Sequence, residues 1–218
     1  MLITCWSAKG GVGTTVVASA LALVLARQHD DVLLVDLAGD VPGAMGMQAD
    51  GPGLAGWLAA GPTVAADALS RLAAPAAPGL SVLPRGSGPL GPVDRVEVLA
   101  SLLATGSGHV VVDAGTLGAA GGDEAGWVLA RAADHSLLVM RPCYLAMQRA
   151  VAAPLRPSSV VLVSEPGRSL TAIDVEQVLN VPVRAEVAVE PSVARAVDAG
   201  LLAARLPKVL VRALREAA

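Results

Sequence analysis

Between Ser7 and Val17 the chain reads SAKGGVGTTVV. Gly10, Gly11 and Gly13 leave backbone N–H groups free to converge on an anion with no Cβ in the way. An apolar run, Leu2–Trp6, precedes this stretch and a longer one, Val16–Ala26, follows it, so the segment reads strand, glycine loop, helix. The helix then turns its positive end toward the same anion. Thr15 stands where the hydroxyl of such a loop ligates Mg²⁺ beside a phosphate. Lys9 and Thr14 pose the question. A lysine opens the loop, and a threonine occupies the place where a phosphate-holding lysine is expected.

Two carboxylates extend the pattern. Asp36 closes the run VLLVD (Val32–Asp36) and Asp113 closes HVVVD (His109–Asp113). Ligand sites of layered sheets gather beyond the carboxyl ends of strands, and an aspartate ending an apolar strand is the usual holder of a nucleotide's Mg²⁺. The plainer reading of either aspartate alone is a cap or turn residue, the weaker of the two readings; both together with the loop favour the metal further. The rival reading is dinucleotide binding, from Gly11-x-Gly13 before a helix and Asp36 about twenty residues on. That fingerprint needs a small third residue where Val16 stands, and it gives Lys9 and Asp113 no role.

These residues need a scaffold, and the hydrophobic pattern supplies one. Leu2–Trp6, Val32–Asp36, Leu80–Pro84, His109–Asp113, Ser136–Met140 and Ser159–Val163 are short runs, apolar on both faces and rich in Val and Leu. Between most of them lie segments of helical length, predicted at Thr15–Gln28, Thr63–Leu72, Val93–Thr105, Asp123–Ala132, Tyr144–Ala152 and Thr171–Leu179. Ser192–Ala199 and Pro207–Ala217 follow the last run. Strands buried on both faces belong to parallel sheets covered by helices, so the fold class is α/β: a mostly parallel central sheet with helices on both faces. Ala73–Gly79 (AAPAAPG) reads as a surface loop. No linker divides the chain, and residues 1–218 are read as one nucleotide-binding domain.

Composition bounds the function. The 218 residues are 54% hydrophobic and 16% charged, with net charge −3, which argues against a disordered chain and against one built to coat nucleic acid, while leaving room for a local basic patch. The N-terminus enters a strand with no basic leader, and Val16–Ala26 is too short to span a bilayer, so a cytoplasmic location is expected. Cys5 and Cys143 form no CxxC pair, which disfavours a metal cluster, and are read as free thiols. Fourteen arginines stand against two lysines, Lys9 and Lys208. A lysine kept in such a chain marks a position that needs a compact ammonium.

At AKGGVGTT the sequence resembles the ParA/MinD family of deviant Walker A P-loop ATPases, whose loop reads approximately xKGGxGK[ST]. VLLVDLAGD, GLAGWLAAG (Gly53–Gly61), PGLSVLPRGSG (Pro78–Gly88), HVVVDAGT, AADHSLLVMRP and EPSVARAVDAGLL (Glu190–Leu202) are similar to later motifs of that family. The resemblance implies an ATP- and Mg²⁺-dependent switch in which two monomers sandwich two nucleotides, Lys9 reaching across to its partner's phosphates. It also implies nucleotide contacts from Lys9, Gly10, Gly11, Val12, Gly13, Thr14, Thr15, Ser164 and Pro191. The metal falls to Thr15, Asp36 and Asp113, and catalysis to Lys9, Asp36 and Asp40. A homodimer, a partner protein that gives specificity, and DNA or a membrane as surface belong to the same expectation, with a chromosome, plasmid, division site or pilus as cargo.

The sequence departs from that pattern at two points. Thr14 replaces the loop lysine, and Leu37-Ala38 follows Asp36 where hydrolysing members carry DxD; Asp40 lies close by. Losing one charge-assisted hydrogen bond costs roughly 1.5–3 kcal/mol. In a transition state that is about ten- to a hundred-fold in rate. Binding and assembly are expected to survive and hydrolysis to be slow. The CpaE/TadZ branch is similar in placing a small residue at this position. The alternative is a pseudo-ATPase scaffold, dimeric without nucleotide. Ser164 is the nearest match to the family's base-reading asparagine, and Asn180 reads as a helix C-terminus. The tail from Arg205 reads as a last helix packed on the domain with a basic outer face. His29, His109 and His135 read as surface residues. Trp6, Trp57 and Trp127 read as core or interface, with Trp6 a candidate reporter on the loop.

Overall fold

The structure, a computed structural model, describes every residue except 49, 62–66, 119–123, 216 and 218. Among the described residues eight strands form: β1 (Leu2–Ser7), β2 (Val32–Asp36), β3 (Ala74–Ala77), β4 (Leu80–Leu83), β5 (His109–Thr116), β6 (His135–Met140), β7 (Ser159–Ser164) and β8 (Val183–Ala188). They form one sheet in the order β3-β4-β2-β5-β1-β6-β7-β8. Every pairing is parallel except that of β3 with β4. Strand β1 therefore lies where the order turns, with β2 to one side and β6 to the other, the place where such sheets open a crevice for ligand.

All six predicted strands are present, and two more flank them. Ala74–Ala77 is not a loop but an edge strand, antiparallel to β4. It offers alanines and Pro75, a composition with little strand propensity, and it is held by its neighbour's ladder rather than by its own preference. Pro75 is tolerated there because an edge strand can spare an N–H. At the other edge β8 alternates exposed Arg184 and Glu186 with buried Ala185 and Val187, a half-covered pattern unlike the apolar runs of the interior strands.

Ten helices cover the sheet among the described residues. On one face lie α1 (Thr14–Leu25), α2 (Val41–Met45), α9 (Pro191–Asp198) and α10 (Lys208–Leu214), packed on Ile3, Cys5, Leu34, Val111, Val139 and Val161. The other face carries α3 (Gly53–Ala59), α4 (Asp67–Ser70), α5 (Val93–Thr105), α6 (Glu124–Ala132), α7 (Tyr144–Val151) and α8 (Ala172–Leu179), over Leu2, Trp6, Val35, Val112, Leu138 and Val160. The expected helix Val93–Thr105 recurs with the same ends, and the others recur with shifted ones. Helix α1 stops at Leu25 rather than Gln28, where its last residues turn outward. The start predicted at Thr63 and the residue Asp123 lie outside the described residues. Asn180 ends α8 in the left-handed conformation, φ 53°, as read from the sequence, and Thr171 caps its start together with Asp174. Helix α10 buries Leu210 and Leu214 completely, so the tail packs on the domain with Arg212 on its outer side. Among the described residues no helix is long and apolar enough to cross a membrane.

Candidate functional site

Strand alternation decides where the two aspartates point. Asp36 is in phase with Leu34, and Asp113 with Val111, so both project from the α1 face. They are register partners on adjacent strands, and both are fully buried. Just beyond the strand ends the chain makes the glycine loop. Gly11 and Gly13 take φ of 74° and 95°, left-handed values that a side chain adopts only with strain. No atom would obstruct a Cβ at either position, so backbone conformation and not space requires glycine there.

Helix α1 starts from this loop without a cap. Gly13 supplies no side chain, and no acidic residue stands in the first turn. The helix's first N–H groups are thus left for an anion. A cavity of about 270 Å³ lies in front of them, lined by Gly11, Gly13, Thr14, Thr15, Ala38, Asp40, Gly115 and Thr116. Lys9, at the start of the loop, is half-buried. Thr14 is the first residue of α1 and is buried, whereas Asp40 is exposed at the rim.

The aspartates differ in what surrounds them. Asp36 accepts from the N–H of Gly39 through Oδ1 at 2.7 Å and from Val41 through Oδ2 at 3.3 Å, so it shapes the loop that leads into α2. Burial raises its pKa, and these N–H groups oppose the rise. Asp113 accepts from the Gly115 N–H at 3.1 Å through Oδ1, while its buried Oδ2 has no hydrogen-bond partner among the described residues. Burial first, and the nearby Asp36 and Asp40 charges after it, push its pKa up to about 7, while the Thr15 hydroxyl and the Gly115 N–H pull the other way. Burial and Asp113 also hold the Cys5 thiol protonated.

A buried carboxylate oxygen without a partner, beside a threonine hydroxyl and under a phosphate cradle, fits a divalent cation. Among the described residues no group of three or more His, Cys, Asp or Glu could itself enclose a metal. An ion held by Thr15 and Asp113 would therefore complete its shell with phosphate and water, the usual habit of Mg²⁺.

The sequence-predicted residues Gly11, Gly13, Thr14, Thr15 and Asp40 come together around the cavity, with Asp36 and Asp113 behind it. Ser164 and Pro191 do not line it. They flank a second groove of about 200 Å³, where Val163, Val187, Glu190 and Val193 meet Val12 and Gly13. The backbone N–H of Val189 bonds the Ser164 carbonyl at 2.9 Å and closes that end.

Three further residues went unread in the sequence. Thr116 lines the cavity at the glycine loop and approaches Ser7 through its hydroxyl at 3.3 Å. Arg141 lines the valine groove. Arg85 lines an adjoining cavity of about 570 Å³ and donates to the carbonyls of Leu37 and Gly88. Its own carbonyl accepts from the Ala55 N–H at 2.8 Å, so α3 and the Asp36 loop are fastened through one arginine. Trp6 corrects an expectation. It adjoins the loop in sequence, but its side chain points to the opposite face, donating to Ser136 Oγ at 2.9 Å and meeting Trp127 edge-on at 5.0 Å.

This fold and site define a class. The structure matches that of a ParA family ATPase from Chlorobium tepidum TLS, with TM-score 0.77 and 18% identity over 98% of this chain and 96% of that one. The septum site-determining protein MinD complexed with Mg-ADP, from Pyrococcus horikoshii OT3, gives TM-score 0.77 and 17% identity over 99% and 93%. The MinC:MinD cell division protein complex of Aquifex aeolicus gives 0.74 and 17% over 91% and 85%. At these identities the likeness is one of fold, that of the ParA/MinD P-loop ATPases. The model of the family described as cellulose biosynthesis protein BcsQ matches residues 1–142, and the chain belongs to that family, a ParA/MinD-like one. No curated protein sequence matches the chain.

Proposed function

We propose that this protein is a cytoplasmic, single-domain nucleotide switch that binds ATP with Mg²⁺, dimerises around it and hydrolyses it slowly, positioning a cargo through a partner protein. The observations that carry the reading are the buried Asp113 carboxyl, which interacts with the Thr15 hydroxyl and has an Oδ2 without a partner among the described residues, and the uncapped start of α1. The loop N–H groups and α1 bind and orient the phosphates; Thr15 and Asp113 hold the metal, and Asp36 fixes the loop that carries Asp40. Mg²⁺, when bound, neutralises charge on the phosphate oxygens. Thr14 offers a neutral hydroxyl where an ammonium would stabilise developing charge, which favours binding over turnover.

Lys9, at the start of the loop, is the residue that meets the phosphates of a second copy in this reading, as the family resemblance implies. The Mg-ADP in the MinD structure and the MinC partner in the Aquifex complex support a nucleotide and a protein partner for this chain too. The family's description makes a cellulose-synthesising apparatus the first cargo to test. DNA or a membrane remains the candidate surface, and the basic side of α10 is where it would be met.

The test is light-scattering mass without nucleotide, with ADP·Mg²⁺ and with ATP·Mg²⁺, for wild type and Lys9→Ala. ATP alone doubles the wild-type mass, and Lys9→Ala abolishes the change. A mass indifferent to nucleotide refutes the switch and leaves the scaffold reading, dimeric without ligand.

A further inference from the structure

Thr116 is turned toward the glycine loop by an irregularity in the sheet. Strands β1 and β5 pair Cys5 with Asp113 and then Ser7 with Thr116, so two steps on β1 match three on β5. The extra residue makes a bulge, a device that re-aims a side chain. Gly115 supplies it with a φ of 64°, and the N–H of that glycine donates to Asp113 Oδ1 at 3.1 Å. Strict alternation would set Thr116 on the face of Val112 and Ala114. The bulge brings it instead to Ser7, in phase with Cys5 on the α1 face. Thr116 is exposed there, lines the cavity at the glycine loop, and sets its Oγ1 3.5 Å from where a Cβ on Gly10 would lie.

Two hydroxyl protons decide what Thr116 can do. Ser7 Oγ has one proton and donates it to the Gly115 carbonyl at 3.2 Å. The 3.3 Å bond between Ser7 Oγ and Thr116 Oγ1 therefore takes its proton from Thr116. Thr116 is left with lone pairs for the cavity, which repel a phosphate oxygen and accept from a water. Of the other side chains on the cavity, Asp40 makes no cap bond to α2 that would hold it, and Ala38 has no polar group. We infer that Thr116 holds the attacking water of ATP hydrolysis by accepting a hydrogen bond from it, with Ser7 as the positioning residue that orients the threonine hydroxyl. In that step the water oxygen bonds to the terminal phosphorus. The bond from this phosphorus to the bridging oxygen breaks, its electron pair leaves with ADP, and the water's proton departs on inorganic phosphate. The proton of Thr116 stays on Thr116, donated to Ser7.

The assignment rests on the nucleotide reading of the loop and on slow turnover there. Steady-state phosphate release and titration calorimetry with ATP·Mg²⁺ are measured for wild type, Thr116→Val and Thr116→Ser. Valine keeps the shape without the oxygen, and loss of one hydrogen bond lowers kcat by about fivefold to tenfold. ATP affinity stays within about twofold in both variants, because the contact is to water and not to phosphate. Serine restores the oxygen and keeps kcat within about threefold of wild type. An unchanged or faster rate in Thr116→Val overturns the assignment. Weaker ATP binding by that variant beyond the stated margin does so too, since the hydroxyl then serves phosphate or the fold. A serine variant as slow as the valine one also overturns it, because the methyl group and not the oxygen is then what counts. Wild type that binds ATP and releases no phosphate refutes this assignment and leaves the nucleotide switch standing. Wild type that does not bind ATP refutes the nucleotide reading and this assignment with it.

Discussion

Asp113→Asn is the substitution whose sign runs against intuition. The carboxylate is fully buried, and its pKa moves from 3.8 to about 7 on folding. The folded chain therefore binds that proton more tightly than the unfolded one. The associated stability is complete below pH 3.8 and is lost as pH rises through about 7. At about 1.4 kcal/mol per pH unit, ionised Asp113 weakens the metal-free protein by up to ~4 kcal/mol at pH 8. Asparagine keeps the shape and removes the charge. Without nucleotide, Asp113→Asn is expected to melt higher than wild type at pH 8, by on the order of 8 °C, given roughly 2–4 °C per kcal/mol for a chain of this size. The gap closes toward pH 4. With ATP·Mg²⁺ the order reverses, because wild type gains a ligand that the variant cannot hold. Circular-dichroism melts at pH 4, 6 and 8, with and without ATP·Mg²⁺, measure all of this. A variant less stable than wild type at pH 8, or a difference that does not change with pH, refutes the reasoning.

Thr14→Lys supplies the missing ammonium at the start of α1, and steady-state phosphate release should rise about ten- to a hundred-fold if that charge limits turnover; an unchanged rate places the limit elsewhere. His109 stacks on His29 with ring centroids 3.8 Å apart, and burial, His29 and the N-terminal amine lower its pKa. A depressed base stabilises the fold above its unfolded pKa and withdraws that support as pH falls below about 6.5. His109→Gln should flatten the acid side of a urea-midpoint curve between pH 6.5 and 5, and a parallel curve would count against the stacked pair.

The interior of the sheet was legible because strands buried on both faces must be continuously apolar, and Asp36 and Asp113 interrupt that rule where each run ends. The loop was legible because glycine is required at Gly11 and Gly13 by conformation. The edges were not: Ala74–Ala77 is a strand only through its pairing with β4, and β8 hides behind the charges it turns to solvent. Arg141 could not be singled out either, since its ion pair with Glu165 joins two strand ends 24 residues apart in the chain. Trp6 shows the same limit. Nearness in sequence placed it beside the loop, and the period of two in a strand turned its ring to the far side.

The two outer strands bear on how the protein assembles. Pro75 interrupts the donor row of β3, and Arg184 and Glu186 project from β8. Proline and outward charges are the means by which sheet margins resist templating a foreign strand. Copies of this chain are thus steered away from joining sheet to sheet into fibres. The pairing proposed above is then left to the loops at the carboxyl ends of the strands.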